Sequence, residues 1–322
     1  MMVRPMVVTG TAMVLTLMVV GRQAHAGALD KDQVSSEAKW LMFIDAEQLR
    51  DAPIYPALRT EHLDRHEKQD NGKFKEILGI GSWDQVESIL LYGTSQRRGK
   101  GVLIFTAPSD QAAARKVLKE KPNYALKRVG EHDVYTWTYQ APRGQEKPHT
   151  VSMAFIPGNR IVMTRSLLEM DTALKVLDGK SPSLAKGGQL KAAAPAGCSI
   201  FMEAVGGMHA NKHLAMLRQA EHMSISAVGG GEATTLTLEV AAPNTEVAAQ
   251  MKDVLLGFKA MMMMRLSGAQ EEDLQKMLEV FRIDVDDKTV NARWPMPNGQ
   301  VIKMIKDRRE GKHRQKDGGN GA

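Results

Sequence analysis

His209 and His213 stand four residues apart, and Met216 follows three further on. On a helix all three share one face. Imidazole and thioether together suit copper, so the set His209, His213 and Met216 is a candidate soft-metal site. No Glu follows His209, which excludes the zinc-peptidase arrangement of two histidines around a general base. The competing reading makes the histidines solvated and leaves Met216 and Leu217 in the core. His62 and His66 form a second pair with the same spacing, but the two pairs do not align residue for residue. Met261 to Met264 is an unbroken run that covers every side of a helix. It reads as flexible core or interface filling, with a soft-metal or apolar-ligand patch as the alternative.

Other groups offer less. Cys198 opens an apolar stretch with no base placed near it in sequence, so a buried strand cysteine is expected rather than a nucleophile. Ser82, in Gly79-Ile-Gly-Ser-Trp83, does not fit the nucleophile elbow. Gly79 and Gly81 lack the third glycine of a dinucleotide loop, and Gly229-Gly-Gly231 falls between two strands. Asp45 and Glu203 each end a similar apolar segment. Facing one another they would be a carboxylate pair for acid/base work; the plainer expectation is that they cap the following segment. Arg97, Arg98 and Lys100 cluster on a turn without the interleaved aromatics that single-stranded nucleic acid requires.

The termini bear on where such groups would act. Arg4 precedes an uncharged run, Met6 to Val20, and Ala24-His25-Ala26 follows. Charge, apolar stretch and A-x-A make up a secretory signal peptide, with cleavage expected near Ala26. The run is shorter than the roughly 20 residues of a membrane-spanning helix. An exported, periplasmic or secreted location is expected, with a soluble mature chain; the alternative is a leader retained as an anchor. Arg4 and Arg22 leave with the leader, which lowers the net charge from +6 to +4. With a single cysteine there is no internal disulfide, so stability rests on burial. The 21 Met outnumber the 7 Phe, 5 Tyr and 4 Trp, which implies an adaptable core. The segment 307–322 is basic and almost without apolar residues, hence a disordered tail able to meet an acidic surface or an envelope protein.

The elements that would position these groups occur twice. Leu103, Ala107, Pro108, Ala113 and Ala114 recur without a gap as Leu238, Ala242, Pro243, Ala248 and Ala249. In each case a strand ends at Ala-Pro and a capping residue, Ser109 or Asn244, opens a helix. Leu41 to Ala46 resembles Ser199 to Ala204, and Pro157-Gly-Asn-Arg resembles Pro297-Asn-Gly-Gln, both read as hairpin turns. Three matches in one order point to an internal duplication. The expected fold is α+β: two tandem pseudo-repeats, each a mainly antiparallel sheet with helices on one face. Each would be a ferredoxin-like βαββαβ core plus an extra hairpin. The domain boundaries are a signal peptide at 1–26, a first repeat at 27–180, a linker at 181–197, a second repeat at 198–306 and the tail at 307–322.

The strand patterns Glu87–Thr94 and Val134–Tyr139 and the helix Ala173–Leu184 resemble those of uncharacterised exported bacterial proteins with tandem α+β repeats behind a signal peptide. That resemblance implies no catalytic residue and no cofactor. With no recognised nucleophile, cofactor loop or metal motif, the sequence reads as a non-enzymatic exported binding or scaffold protein of the cell envelope. The alternatives are an envelope copper-binding protein using His209, His213 and Met216, and a hydrolase built on Asp45 and Glu203.

Overall fold

The computed structural model describes residues 29–64, 72–95, 100–140, 148–206, 218–265 and 272–306. The leader, the tail and most of the basic turn lie outside these residues. Among the described residues, no helix is long and apolar enough to cross a membrane.

Among the described residues, twelve strands form one antiparallel sheet. They are β1 (Trp40–Asp45), β2 (Ser88–Gly93), β3 (Val102–Thr106), β4 (Ala125–Val129), β5 (His132–Tyr139) and β6 (His149–Ile156). The rest are β7 (Arg160–Thr164), β8 (Cys198–Val205), β9 (His222–Gly230), β10 (Ala233–Ala241), β11 (Arg282–Asp286) and β12 (Thr289–Pro297). Their spatial order is β11-β12-β10-β9-β8-β1-β2-β3-β7-β6-β5-β4. The expected α+β class with an antiparallel sheet is present. The ferredoxin-like order is not, because β1, β2 and β3 pair as successive neighbours. A split βαβ keeps its first two strands parallel with a third strand between them, whereas β1 here lies directly against β2 and runs antiparallel to it.

Counting outward from the centre, β1-β2-β3 on one side answers β8-β9-β10 on the other. After each third strand the backbone N–H of an Ala-Pro alanine bonds across the sheet, Ala107 to the Asn159 carbonyl and Ala242 to the Lys288 carbonyl. A helix follows in both halves, α4 (Gln111–Lys119) and α6 (Thr245–Arg265). Asn244 caps α6 by accepting from the Val247 N–H at 2.8 Å. In the first half Asp110, not Ser109, is the cap, accepting from Ala112 and Ala113. Ser109 instead donates to the Leu78 carbonyl and ties α3 (Lys73–Leu78) to α4.

The correspondence then ends. Gly158 and Asn159 take positive φ in the β6–β7 turn as expected. After Pro297, however, where the hairpin-turn reading implies a returning strand over 300–305, residues 298–306 are helical (α8). Asn298 is buried and bonds to the Thr234 hydroxyl and the Gly231 carbonyl, which draws the chain off the sheet. Before β2, α1 (Ala46–Asp51) starts at its Asp45 cap, and Tyr55–Leu58 (α2) follows. The edge strand β4 exposes Leu126, Lys127 and Arg128 in a row, so it lacks the polar–apolar alternation of a half-buried strand.

Helices do not keep to one face. On one side, α3 and α4 bury Ile77, Leu78 and Leu118 against Phe105, Met153, Ile161, Tyr135 and Trp137. Further along this face, α6 and α7 (Glu272–Glu279) lie over β10, β11 and β12, burying Met223, Val240, Ala248, Met251 and Val290. On the other side, α5 (Leu167–Leu177) and the stretch 183–192 bury Leu41, Phe43, Leu90, Ile104, Val162 and Phe201. The expected linker is therefore packed: Leu184 and Leu190 belong to this core.

Candidate functional site

The centre of the sheet is the seam where β1 and β8 pair. Its register puts Met42 opposite Met202, Phe43 opposite Phe201 and Ile44 opposite Ile200. Alternation sends Phe43 and Phe201 to the α5 face and the Met and Ile pairs to the face that carries α4 and α6. Both phenylalanines are buried. Like-sized apolar residues facing across a non-local pair fix register, because a one-residue slip would turn every side chain to the wrong face.

On the helix-bearing side the seam forms a band. Leu91 lies beside Met42, and Met202 beside Ile225. Ile44, Ile200 and, through Ala227, Leu236 form the adjacent row. All seven of these side chains are half-buried, and they stand outside the three buried cores. The band runs between the α3–α4 core and the α6–α7 core. One end is closed by the α1–α2 segment, where Ala52 sits so close to Gly229 that a Cβ there would meet it at 3.2 Å. The floor is aliphatic with two methionines, whose unbranched chains adapt to irregular shapes. Polar strand residues are absent from it because the pleat sends them to the opposite face.

That opposite face holds the most constrained polar group near the seam. Glu203 is 3 % exposed. Its carboxylate accepts from the Lys191 and Ala192 N–H groups, both at 2.7 Å, and contacts the His222 ring. Burial alone would raise its pKa; the bonds from His222, Lys191 and Ala192 outweigh that and hold it below the usual carboxylate range. Ala192 takes a positive φ to present its amide. Glu203 thus docks the 183–192 stretch on the sheet.

Asp45 is not part of this arrangement. It accepts from the Gln48 N–H at 2.9 Å, the cap expected of it. Glu203 pairs in register with Leu41, four residues from Asp45 along β1, about 13 Å at strand rise. The two acids are separate structural anchors, and the paired-carboxylate geometry is not formed. Cys198 is buried at the start of β8, as expected, and burial pushes its thiol pKa up, away from thiolate reactivity. His209, His213 and Met216 lie outside the described residues, as do His66, Arg97 and Arg98. Among the described residues, no group of three His, Cys, Asp or Glu side chains gathers as a metal site.

The methionine run falls on the distal half of α6. Val254 (38 %), Phe258 (43 %), Met261 (38 %) and Met264 (73 %) are exposed there, so this part of the run is surface rather than core.

No family model matches the chain, and no curated protein does. Among solved structures the chain is similar to crystal form III of TP0453, a Treponema protein. The TM-score is 0.50 at 11 % identity, covering 86 % of this chain and 98 % of that one. Crystal form I of TP0453 gives a TM-score of 0.46 at 12 % identity, over 86 % and 96 % of the two chains. The likeness is one of fold: an α+β chain built on a long antiparallel sheet.

Proposed function

We propose that this protein is an exported, non-enzymatic binding module of the cell envelope whose ligand seat is the apolar band across the β1–β8 seam. The band itself carries the reading. Met42, Ile44, Leu91, Ile200, Met202, Ile225 and Leu236 leave aliphatic surface half-exposed between two cores, at the place where the halves of the molecule join. A contiguous apolar surface of this kind marks a binding site more often than a packing fault. Methionines at its centre favour an adaptable fit to an elongated apolar ligand or partner segment. Export rests on the leader at 1–26, and protein recovered from the envelope should begin at Gly27 on N-terminal sequencing. The acids offer no competing hydrolytic centre, since Asp45 and Glu203 are each committed to backbone amides.

The test is titration with 1-anilinonaphthalene-8-sulfonate, a fluorescent probe of apolar sites. Met42→Glu with Met202→Glu should abolish most of the enhancement, whereas Phe258→Glu on α6 should remove little. Enhancement undiminished in the double variant would refute the band as the seat.

A further inference from the structure

Trp40 stands beside the band and outside every core. It opens β1 on the same face as Met42 and Ile44, because Leu41 and Phe43 point to the α5 side. It is half-buried and belongs to none of the three buried clusters. Two glycines on neighbouring strands make room for it. A Cβ on Gly93 would meet the indole at 2.7 Å, and one on Gly101 would meet it at 3.4 Å. The ring therefore reaches sideways over the end of β2 and the entry to β3. Glycine at a strand position gives up side-chain packing, and one of its uses is to let another group approach the backbone closely. On the seam side the residue opposite Trp40 is Ala204, whose methyl is too small to cover the ring.

This placement closes the band at the end opposite Ala52. From Trp40 to Ile44 is about 13 Å at strand rise, with Met42 between them. A ligand lying along the seam over Ile44 and Met42 meets the indole next. The indole N–H is already committed, since it donates to the Ser95 carbonyl at 2.9 Å. What remains for a ligand is the π face and the C–H edges. A hydroxyl or carboxylate pressed there would lose water without gaining a hydrogen bond. A hydrocarbon end would gain contact area, and an aromatic end would add the offset or edge-to-face attraction of two rings.

Resting on the reading of the band as a ligand seat, we propose that Trp40 is its end wall and packs its ring against the apolar end of the bound ligand. The two glycines hold the indole in that position.

Fluorine NMR of protein labelled with 5-fluorotryptophan, titrated with 1-anilinonaphthalene-8-sulfonate, tests the contact in the native sequence. The Trp40 signal, assigned by its loss in Trp40→Phe, should move on binding by more than those of Trp83 and Trp137, which lie in the α3–α4 core. Trp40→Ala should weaken binding of the probe about fivefold, and Trp40→Phe, which keeps a ring, by less. Gly93→Ala drives the indole off its place. It should lower the affinity of the otherwise native protein but have no further effect in Trp40→Ala, a non-additivity expected of two residues acting through one contact. A Trp40 signal that stays still, or a Trp40→Ala protein that binds undiminished, overturns the role of Trp40. If Met42→Glu with Met202→Glu still abolishes the enhancement in that case, the band stands without it. Binding undiminished in the double methionine variant removes the band and this proposal together.

Discussion

The two ends of the sheet are built from the same strand chemistry and covered differently. From β1 to β7, alternate residues on both faces are apolar: Ile104 points into the α5 core and Phe105 into the α3–α4 core. From β9 to β12 the helix-bearing face is apolar, and on the other face only Val228 reaches the α5 core. The other face carries the rows Ser226–Thr237–Arg293 and Ser224–Glu239–Asn291. One end is a three-layer structure and the other a two-layer structure, joined through the β1–β8 pairing, with a register shift in the neighbouring β8–β9 ladder at Cys198–Ile200. The band lies at the change-over, where the cores of neither end reach across. Continuous backbone pairing does not require continuous side-chain burial, and the gap between two cores on one sheet is a natural place for a ligand.

The contrast can be broken most directly in the three-layer end. Ile161 is fully buried there, and Ile161→Ala should cost about 4 kcal/mol by lost burial and cavity formation. Thr237→Ala, on the open polar face of the two-layer end, should stay within about 0.5 kcal/mol. Urea unfolding of the two variants measures the difference; equal costs would remove the distinction between the ends.

Glu203 probes the boundary. Glu203→Ala leaves two amides and His222 without their acceptor in a buried place and should cost about 3 kcal/mol. That corresponds to a fall of about 5 °C in melting temperature for a chain of this size. The same residue sets part of the acid sensitivity. Its folded pKa is depressed, so its contribution is present above the unfolded Glu value, about 4.3, and is lost as pH falls through the folded value. Glu203→Gln should flatten the stability profile below pH 4.3, compared by thermal melts across pH. An unchanged acid limb would show that Glu203 does not hold the 183–192 stretch in solution.

The smallest effects test the likeness of the halves. Asp110→Ala and Asn244→Ala remove corresponding caps from α4 and α6, and each should cost about 1 kcal/mol by denaturant unfolding. A large inequality would mean that the two helices do not play matching structural parts.

Much of this was legible in the chain. The Ala-Pro strand ends, the Asn244 cap, the Gly158-Asn159 turn and nearly all strands follow from local chemistry, because each rests on φ restrictions, a missing donor or a period of two. Cys198 and Asp45 also sit as their neighbours in sequence imply. The hairpin reading of Pro297-Asn-Gly-Gln makes 300–305 a strand, with Val301-Ile302 apolar; the decision came from Asn298 bonding 64 residues away to Thr234. The band escaped notice because Met42 and Met202 look like ordinary core residues. Local sequence shows which face of a strand is apolar, but not whether a helix will lie over it.

What the sequence determined by itself is therefore the elements and their polarity: which segments extend, which coil, and which faces shun water. Tertiary structure alone decided that β1 and β8 meet, that one end is covered twice and the other once, and that Glu203 clamps 191–192 rather than facing Asp45. The reason is physical. Hydrogen-bonding and steric preferences act over a few residues, whereas strand order and coverage depend on pairings more than a hundred residues apart, whose free energy exists only once the chain has closed on itself.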